Sequence, residues 1–415
     1  MGGGRARPER AALDAALRGA DHVRQAAALP RAAPVPRAGA RAAGALQHPA
    51  GGLRRAARRP RRAVGAPARA MNVHQVLSGA GPYDAVTNEA LDFRARFTEW
   101  GWGGRDVAAA LDPRMDGRVA PLTALAPAQH DVLLIHYSAY APRVRRVLEL
   151  PCRKLLLSHN ITPARWLWAH EPMTAVQCAV GRSQLPDFVS ACDAFAADSA
   201  FNAGELREAG AGEVTVLPVL IDPARLGPPA AGEPSRPTTL LFVGRLMPHK
   251  RQDEVIRALT LYAREHDPHA RLVLVGEPLT ARYAAELHQL ADAIAPGAVR
   301  FERSLSSAEL AARYREAHAF VCLSEHEGFC IPVLEALHFG VPVVARPAGA
   351  VPEVAGDAAL LVADEDPAVV AELIHLAVSD AALRAELRRR GAARVAAYGP
   401  ERTEAALRSL LESLQ

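Results

Sequence analysis

Asn72-Val73-His74-Gln75-Val76-Leu77-Ser78-Gly79-Ala80-Gly81-Pro82 is where regular structure begins abruptly in this 415-residue chain. Its first six residues read as a short buried strand, and Ser78 to Pro82 as a glycine-containing loop. Apolar Ala85, Leu91, Phe93 and Phe97 then recur with helical spacing over 84–99. A strand, a glycine loop and a helix, in that order, open an α/β unit of the dinucleotide-binding kind. Further strand candidates follow at 131–136, 154–158, 194–197 and 214–217, with helical patterns between them, notably at 174–190 and 199–209. Such alternation predicts a parallel sheet covered by helices on both faces.

Gly227-Pro228-Pro229-Ala230-Ala231-Gly232-Glu233-Pro234-Ser235-Arg236-Pro237 has the composition of a linker. A second α/β series starts beyond it. Its strands are predicted at 239–243, 272–275, 299–301, 320–323, 341–345 and 360–362, and its helices near 250–266, 280–293, 306–317, 331–339, 366–378 and 380–397. An amphipathic pattern closes the chain at about 400–414. The expected organisation is an amino-terminal Rossmann-like domain at 71–226, a linker at 227–237, and a second Rossmann-like domain at 238–398. A last helix within 399–415 is expected to pack back on the first domain. Ligands of open α/β sheets bind beyond the carboxyl ends of the strands, so both domains are expected to face a central cleft.

The formal net charge of +4 averages two unlike regions. Residues 1–70 carry fifteen arginines against Glu9, Asp14 and Asp21, a balance of +12, which leaves −8 for the rest. Ala, Arg, Gly and Pro make up 54 of these 70 residues, so the segment cannot bury enough apolar area to order itself and is expected to be disordered. It lacks the apolar core of a secretory signal and the serines of a transit peptide. Two readings stay open: a basic arm for nucleic acid or anionic lipid, and a mis-assigned start codon with Met71 as the first residue. No run of about 18 apolar residues exists, which excludes a membrane-spanning helix by composition. Cys152, Cys178, Cys192, Cys322 and Cys330 have no zinc-finger spacing, so a reduced, cytoplasmic chain without a structural metal is expected.

Two stretches carry chemistry. In Leu240-Leu241-Phe242-Val243-Gly244-Arg245-Leu246-Met247-Pro248-His249-Lys250, a strand ends in Gly-Arg and a lysine follows near the start of a helix. Two cations beside a helix N-terminus suit a diphosphate, although a solvated surface pair has the same pattern. Only two of the 49 basic residues are lysines, Lys154 and Lys250, so a compact ammonium here stands out from the arginine background. In Ser324-Glu325-His326-Glu327-Gly328-Phe329-Cys330-Ile331-Pro332-Val333-Leu334-Glu335, glycine and proline mark a tight turn at a helix start. Glu327 on the turn and Glu335 one helical turn in could bind sugar and ribose hydroxyls, or simply stabilise a helix N-terminus.

These two stretches, about 80 residues apart, resemble the donor site of retaining GT-B glycosyltransferases. They are closest to the large bacterial cell-wall and O-antigen type family, the group 1 glycosyl transferases. Gly349-Ala350-Val351-Pro352-Glu353-Val354 and Ser158-His159-Asn160-Ile161-Thr162-Pro163 extend the resemblance over 71–415. The resemblance implies that Arg245 and Lys250, with Gly244, grip the donor diphosphate. It implies that Glu327 contacts the donor sugar and Glu335 the nucleotide ribose. Phe329, Cys330 and Ile331 match the turn whose amides face sugar and phosphate. Gly79 and Gly81 match the amino-terminal glycine loop near the diphosphate, and His159 the histidine facing the reacting sugar. Cys330 departs from the glycine that many members carry, and the loop at Gly79 is less glycine-rich than usual.

The implied activity is transfer of a mannose- or glucose-type sugar, with retention, from a nucleoside-diphosphate sugar to a hydroxyl of a glycan or glycolipid. Cations and oriented amides would stabilise the departing diphosphate, and no cofactor or metal is expected. A sugar phosphorylase on the same fold and a non-catalytic nucleotide-sugar-binding protein are the alternatives. Asp364-Glu365-Asp366 has the spacing of a metal motif, but Asp366-Pro367 reads as a helix cap. Arg143, Arg145, Arg146, Arg153 and Lys154 form a basic cluster that offers either a solvated face or peripheral contact with the inner face of the cell membrane. Trp100, Trp102, Trp166 and Trp168 flank the expected cleft loops. Nucleic acid is not an expected partner of 71–415.

Overall fold

The computed structural model describes residues 71–229, 232–364 and 366–415. The expectations of a disordered extension at 1–70 and of a start at Met71 concern residues outside that range, as does Glu365. Two parallel sheets follow one another along the chain. The first has seven strands: β1 (Val73–Ala80), β2 (Asp106–Leu111), β3 (Ala120–Pro121), β4 (Val132–Tyr137), β5 (Arg153–Ser158), β6 (Ala194–Ala197) and β7 (Thr215–Val216), in the order β3-β2-β1-β4-β5-β6-β7. The second has six: β8 (Thr239–Val243), β9 (Arg271–Val275), β10 (Val299–Glu302), β11 (Ala319–Cys322), β12 (Val343–Ala345) and β13 (Ala359–Leu361), in the order β10-β9-β8-β11-β12-β13. Strand order reverses beside β1 in one sheet and beside β8 in the other, which is where doubly wound sheets open a crevice.

The strands form where apolar runs can be buried on both faces. β4 is buried along its whole length. Val76, Ile135, Leu156 and Phe188 pack on one face of the first sheet; Val73, Phe93, Phe97, Leu134 and Leu155 pack on the other. Side-chain caps set several helix starts: Asp84 accepts from Thr87 N, Ser199 from Asn202 N and Asp366 from Ala368 N. The Asp366 carboxylate is therefore a cap, as its Pro367 neighbour indicates.

Three expectations are corrected. The single helix anticipated at 174–190 is two helices, Pro172–Ser183 and Leu185–Ala191. Pro186 has no N–H for a continuous ladder and instead occupies the first turn of the second helix. Strand β2 was not anticipated, because Asp-Val-Ala-Ala-Ala-Leu has little of the β-branched or aromatic character that marks strands. Its presence extends β1 past Leu77: Gly79 pairs with Ala110 and Ala80 with Leu111, so Gly79 is a strand residue rather than a loop residue.

The helix Pro400–Glu412 lies against the first sheet's domain. Leu407 and Leu411 are fully buried with Phe93 and Phe97, Trp100 and Trp102 pack on the same cluster, and Arg96 pairs with Glu404 at 2.8 Å. Elsewhere in this domain a polar array runs through the interior. Arg94 binds Asp106, which accepts from Gln75 Nε2 at 2.8 Å; Gln75 Oε1 lies 3.0 Å from His136 Nε2, and His136 Nδ1 lies 2.9 Å from His159 Nε2. His159 Nδ1 then faces Asp198 at 3.2 Å and Glu89 at 3.4 Å. Burial opposes a charge on His159, but the Asp198 and Glu89 carboxylates outweigh it and lift its pKa to about 9. Burial raises Glu89 to about 8, against the pull of His159.

Two outcomes are expected. Leu407→Ala should cost about 2–5 kcal/mol, read as an earlier unfolding transition in tryptophan fluorescence; an unchanged transition would mean the helix is not part of this core. At both Glu89 and His159 the folded chain holds protons more tightly than the unfolded chain. Their contribution is therefore present at low pH and is lost as pH rises to about 9, most steeply between about 6.5 and 8, where both groups lose their protons. The same transition should fall in temperature across that window, and Glu89→Gln should reduce the fall. A flat profile would contradict the assigned charges.

Candidate functional site

The second sheet's reversal point brings the ends of β8 and β11 together. After β8, Gly244 adopts φ +147° and donates its N–H to Val275 O at 2.9 Å. This close passage needs glycine at 276, where a Cβ would stand 2.0 Å from Gly244 O. Arg245 is thereby turned outward: it is exposed, and its guanidinium has no partner among the described residues. A short 3-10 turn, Pro248–Lys250, leads to Arg251 at φ +52° and the helix Gln252–Glu265. His249 O accepts from Glu325 N at 2.8 Å, which ties the loop after β8 to the loop after β11.

Across that tie, Lys250 Nζ donates to both Glu327 oxygens, at 2.7 and 2.6 Å. Burial works against the ammonium, but the Glu327 carboxylate more than compensates and holds the Lys250 pKa above its ordinary value. The Glu327 turn is braced from behind: Ala350 N donates to Glu327 O at 3.0 Å, and a Cβ at Gly349 would stand 2.1 Å from that oxygen. Cys330, at φ +75°, leads into the helix Ile331–His338. The amides of Gly328, Phe329, Cys330 and Ile331 donate to no acceptor among the described residues. They form a row of free donors at a helix N-terminus, an arrangement suited to an anion. One turn along, Glu335 Oε2 accepts from Tyr314 OH at 2.7 Å while Oε1 takes no protein hydrogen bond. Burial raises the Glu335 pKa, and the Tyr314 bond opposes the rise.

Thus Gly244, Arg245, Lys250, Glu327, Phe329, Cys330, Ile331 and Glu335 come from two separate stretches into one neighbourhood. Gly79 and Gly81 do not join it through any contact of the described residues; the Gly81 amide instead donates to Thr87 Oγ1 at 3.2 Å. His159 also stands differently from the expectation that it faces a sugar. Its side chain is 3% exposed and both ring nitrogens are engaged inside the first domain. Only its backbone reaches the second domain, where a Cβ on Gly328 would lie 3.2 Å from His159 O.

Sequence reasoning missed the residues that join the two domains. Glu325 Oε2 accepts from Trp166 Nε1 at 2.5 Å, and Glu325 Oε1 from Arg251 at 2.6 Å. His326 Nε2 lies 2.6 Å from Asn160 Oδ1, Ser199 Oγ donates to Gly328 O at 2.7 Å, and Ala200 N donates to the Glu353 carboxylate. The positive φ of Asn160, +70°, has no sequence signal beyond the Asn itself. Trp100 and Trp102 belong to the core rather than to this junction. The basic cluster also loses members. Lys154 is buried with its ammonium on Leu150 O and Cys152 O, and Arg145 and Arg153 pair with Asp187 and Asp193.

Among the described residues, two groups of side chains have atoms close enough to share a cation: Glu89, His136 and His159, and Cys322, Glu327 and Cys330. In the first, the His159 imidazole already bridges the carboxylates and carries charge there, which disfavours a second cation.

Residues 228–394 match the family model described as "Glycosyl transferases group 1". A D-inositol 3-phosphate glycosyltransferase of Salinispora arenicola is 30% identical over 273 residues, 55% of this chain and 60% of that protein. A protein of the same name from Catenulispora acidiphila is 34% identical over 206 residues, 45% of this chain and 48% of its own. The chain thus spans about half the length of these relatives. Among solved structures, a sucrose-phosphate synthase from Thermosynechococcus elongatus superposes with a TM-score of 0.66 at 18% identity, covering 83% of this chain and 99% of that one. Anabaena HepE in complex with UDP and glucose superposes with a TM-score of 0.62 at 16% identity, covering 83% and 100%. The chain has the GT-B fold, and its residues 228–394 match the group 1 glycosyl transferases.

Proposed function

We propose that this chain transfers a glucose- or mannose-type sugar from a nucleoside-diphosphate sugar to a hydroxyl acceptor, with retention and without a metal. The observation that carries this reading is the combination of an unpartnered Arg245, a charged Lys250 and four unpartnered amides around one carboxylate, Glu327. A donor diphosphate offers Lys250 and Arg245 more negative charge than Glu327 alone, so Lys250 exchanges partners when donor binds. Glu327 is then free to accept from the sugar's hydroxyls. The amides of residues 328–331 face phosphate and sugar oxygens. The bond from the anomeric carbon to phosphate breaks, the acceptor oxygen attacks the same face, and its proton passes to the departing phosphate. Charge on that phosphate is met by groups already in place, the usual source of the largest catalytic gain.

The free Oε1 of Glu335 supports a nucleotide ribose over inorganic phosphate, and so a transferase over a phosphorylase. A second HepE structure, in complex with UDP-glucose, makes that donor the first compound to test, and the relatives' name makes D-inositol 3-phosphate an acceptor to include beside glycans and glycolipids. No helix among the described residues is long and apolar enough to cross a membrane. We place the reaction in the cytoplasm, with exposed Arg143 and Arg146 available to an anionic membrane surface.

A thermal-shift panel of UDP, GDP, ADP, CMP and their sugar conjugates, with and without magnesium, tests the reading. One nucleoside diphosphate at 100 times its Kd should stabilise the chain by about 2.7 kcal/mol without magnesium; no shift with any of them would sink the proposal. Lys250→Ala should lower kcat about 100- to 1,000-fold while the melting temperature changes little, and an unchanged kcat would remove its role. Glu335→Ala should weaken nucleotide binding about 10- to 100-fold, and equal affinity would reject the ribose assignment.

A further inference from the structure

Beside the Lys250–Glu327 pair lie two thiols that donor binding does not use. Cys322, at the end of β11, and Cys330, on the turn, are both buried, and their sulfurs are 3.9 Å apart. Cys322 Sγ also lies 3.9 Å from Glu327 Oε1 and 3.4 Å from Ser324 Oγ. Two thiolates on one tetrahedral zinc ion, each at 2.3 Å, stand about 3.8 Å apart. The two sulfurs and the carboxylate oxygen all lie within 4.8 Å of one another. An ion at the centre of that triangle is no more than about 2.5 Å from each, a few tenths of an ångström beyond ordinary Zn–S and Zn–O bonds.

We propose that Cys322, Cys330 and Glu327 form a binding site for a thiophilic divalent cation such as zinc, and that occupancy turns the neighbouring donor site off. The exchange balances in charge. Zinc enters as +2, the two thiols release two protons to solvent and become thiolates, and the cluster with Glu327 and Lys250 keeps its total charge. That balance matters because an uncompensated charge at this depth is costly. With Glu327 held by the ion, Lys250 loses its partner, the carboxylate no longer meets a sugar, and the Cys330 turn is pinned by its sulfur. The inhibitory consequence rests on the donor-site reading above; the binding of the ion does not.

The test is titration of the full chain with cadmium, a zinc substitute whose bonds to thiolate give a charge-transfer band in the ultraviolet. The band should saturate at one ion per chain, persist when Cys152, Cys178 and Cys192 are all replaced by Ala, and be lost in Cys322→Ser. No band, or an undiminished band in Cys322→Ser, overturns the site. Should that variant unfold, cadmium NMR of the unaltered chain decides instead. A shift typical of two sulfur ligands supports the site, and one typical of oxygen and nitrogen ligands alone overturns it. Bound zinc should also weaken UDP-glucose binding about tenfold or more, the loss of the Glu327 contact to the sugar. A band without any binding of UDP or UDP-glucose would reject the donor-site reading and leave the metal site standing; a band with unchanged UDP-glucose affinity would reject the inhibitory step.

Discussion

The ion pair between Lys250 and Glu327 is the contact around which this molecule is organised. It joins the loops that follow the neighbouring strands β8 and β11, where strand order in the second sheet reverses. Neither partner could hold its place alone. Lys250 ends a 3-10 turn that Pro248 opens, and Glu327 sits on a turn that only glycine at 349 lets close. A half-buried ammonium without its carboxylate would be driven towards neutrality, and a buried carboxylate without its ammonium would be costly. Paired, the Glu327 carboxylate holds the Lys250 ammonium above its ordinary pKa despite burial.

The first domain contributes mainly through support. His159 and Asp198 stand just beyond the ends of β5 and β6, and their buried contact fixes the segments that carry Asn160, Ser199 and Ala200. Those three residues touch His326, Gly328 and Glu353 of the second domain. Glu325 completes the junction by accepting from Trp166 on one side and Arg251 on the other. The His159 ring thus lies inside the first domain, and its backbone carbonyl lies beside Gly328 of the second.

Much of this was legible before any coordinates. Strands such as 194–197 and 239–243 are short apolar runs with turn residues on both sides, and they lie where that pattern puts them. Gly244-Arg245, Lys250, Glu327 and Glu335 stood out as charge at a strand end and at a helix start, and the fold brings the two stretches together through the Lys250–Glu327 pair. What escaped had no local mark. β2 is alanine-rich and becomes a strand only because β1 lies beside it. The partner of Trp166 is 159 residues away, and that of His326 is 166 away. The burial of His159 follows from Glu89 and Asp198, which no spacing rule connects to it. Cys322 and Cys330 carry no metal spacing in sequence, because the turn that brings their sulfurs together depends on a left-handed residue at 330.

A crystal structure of the chain with UDP bound tests the central claim most directly. The account predicts that Lys250 Nζ lies within hydrogen-bond distance of a diphosphate oxygen and has parted from Glu327. Arg245 should turn onto the same diphosphate, and the amides of residues 328–331 should lie along its path. A structure with the Lys250–Glu327 pair intact and the nucleotide bound elsewhere would contradict it.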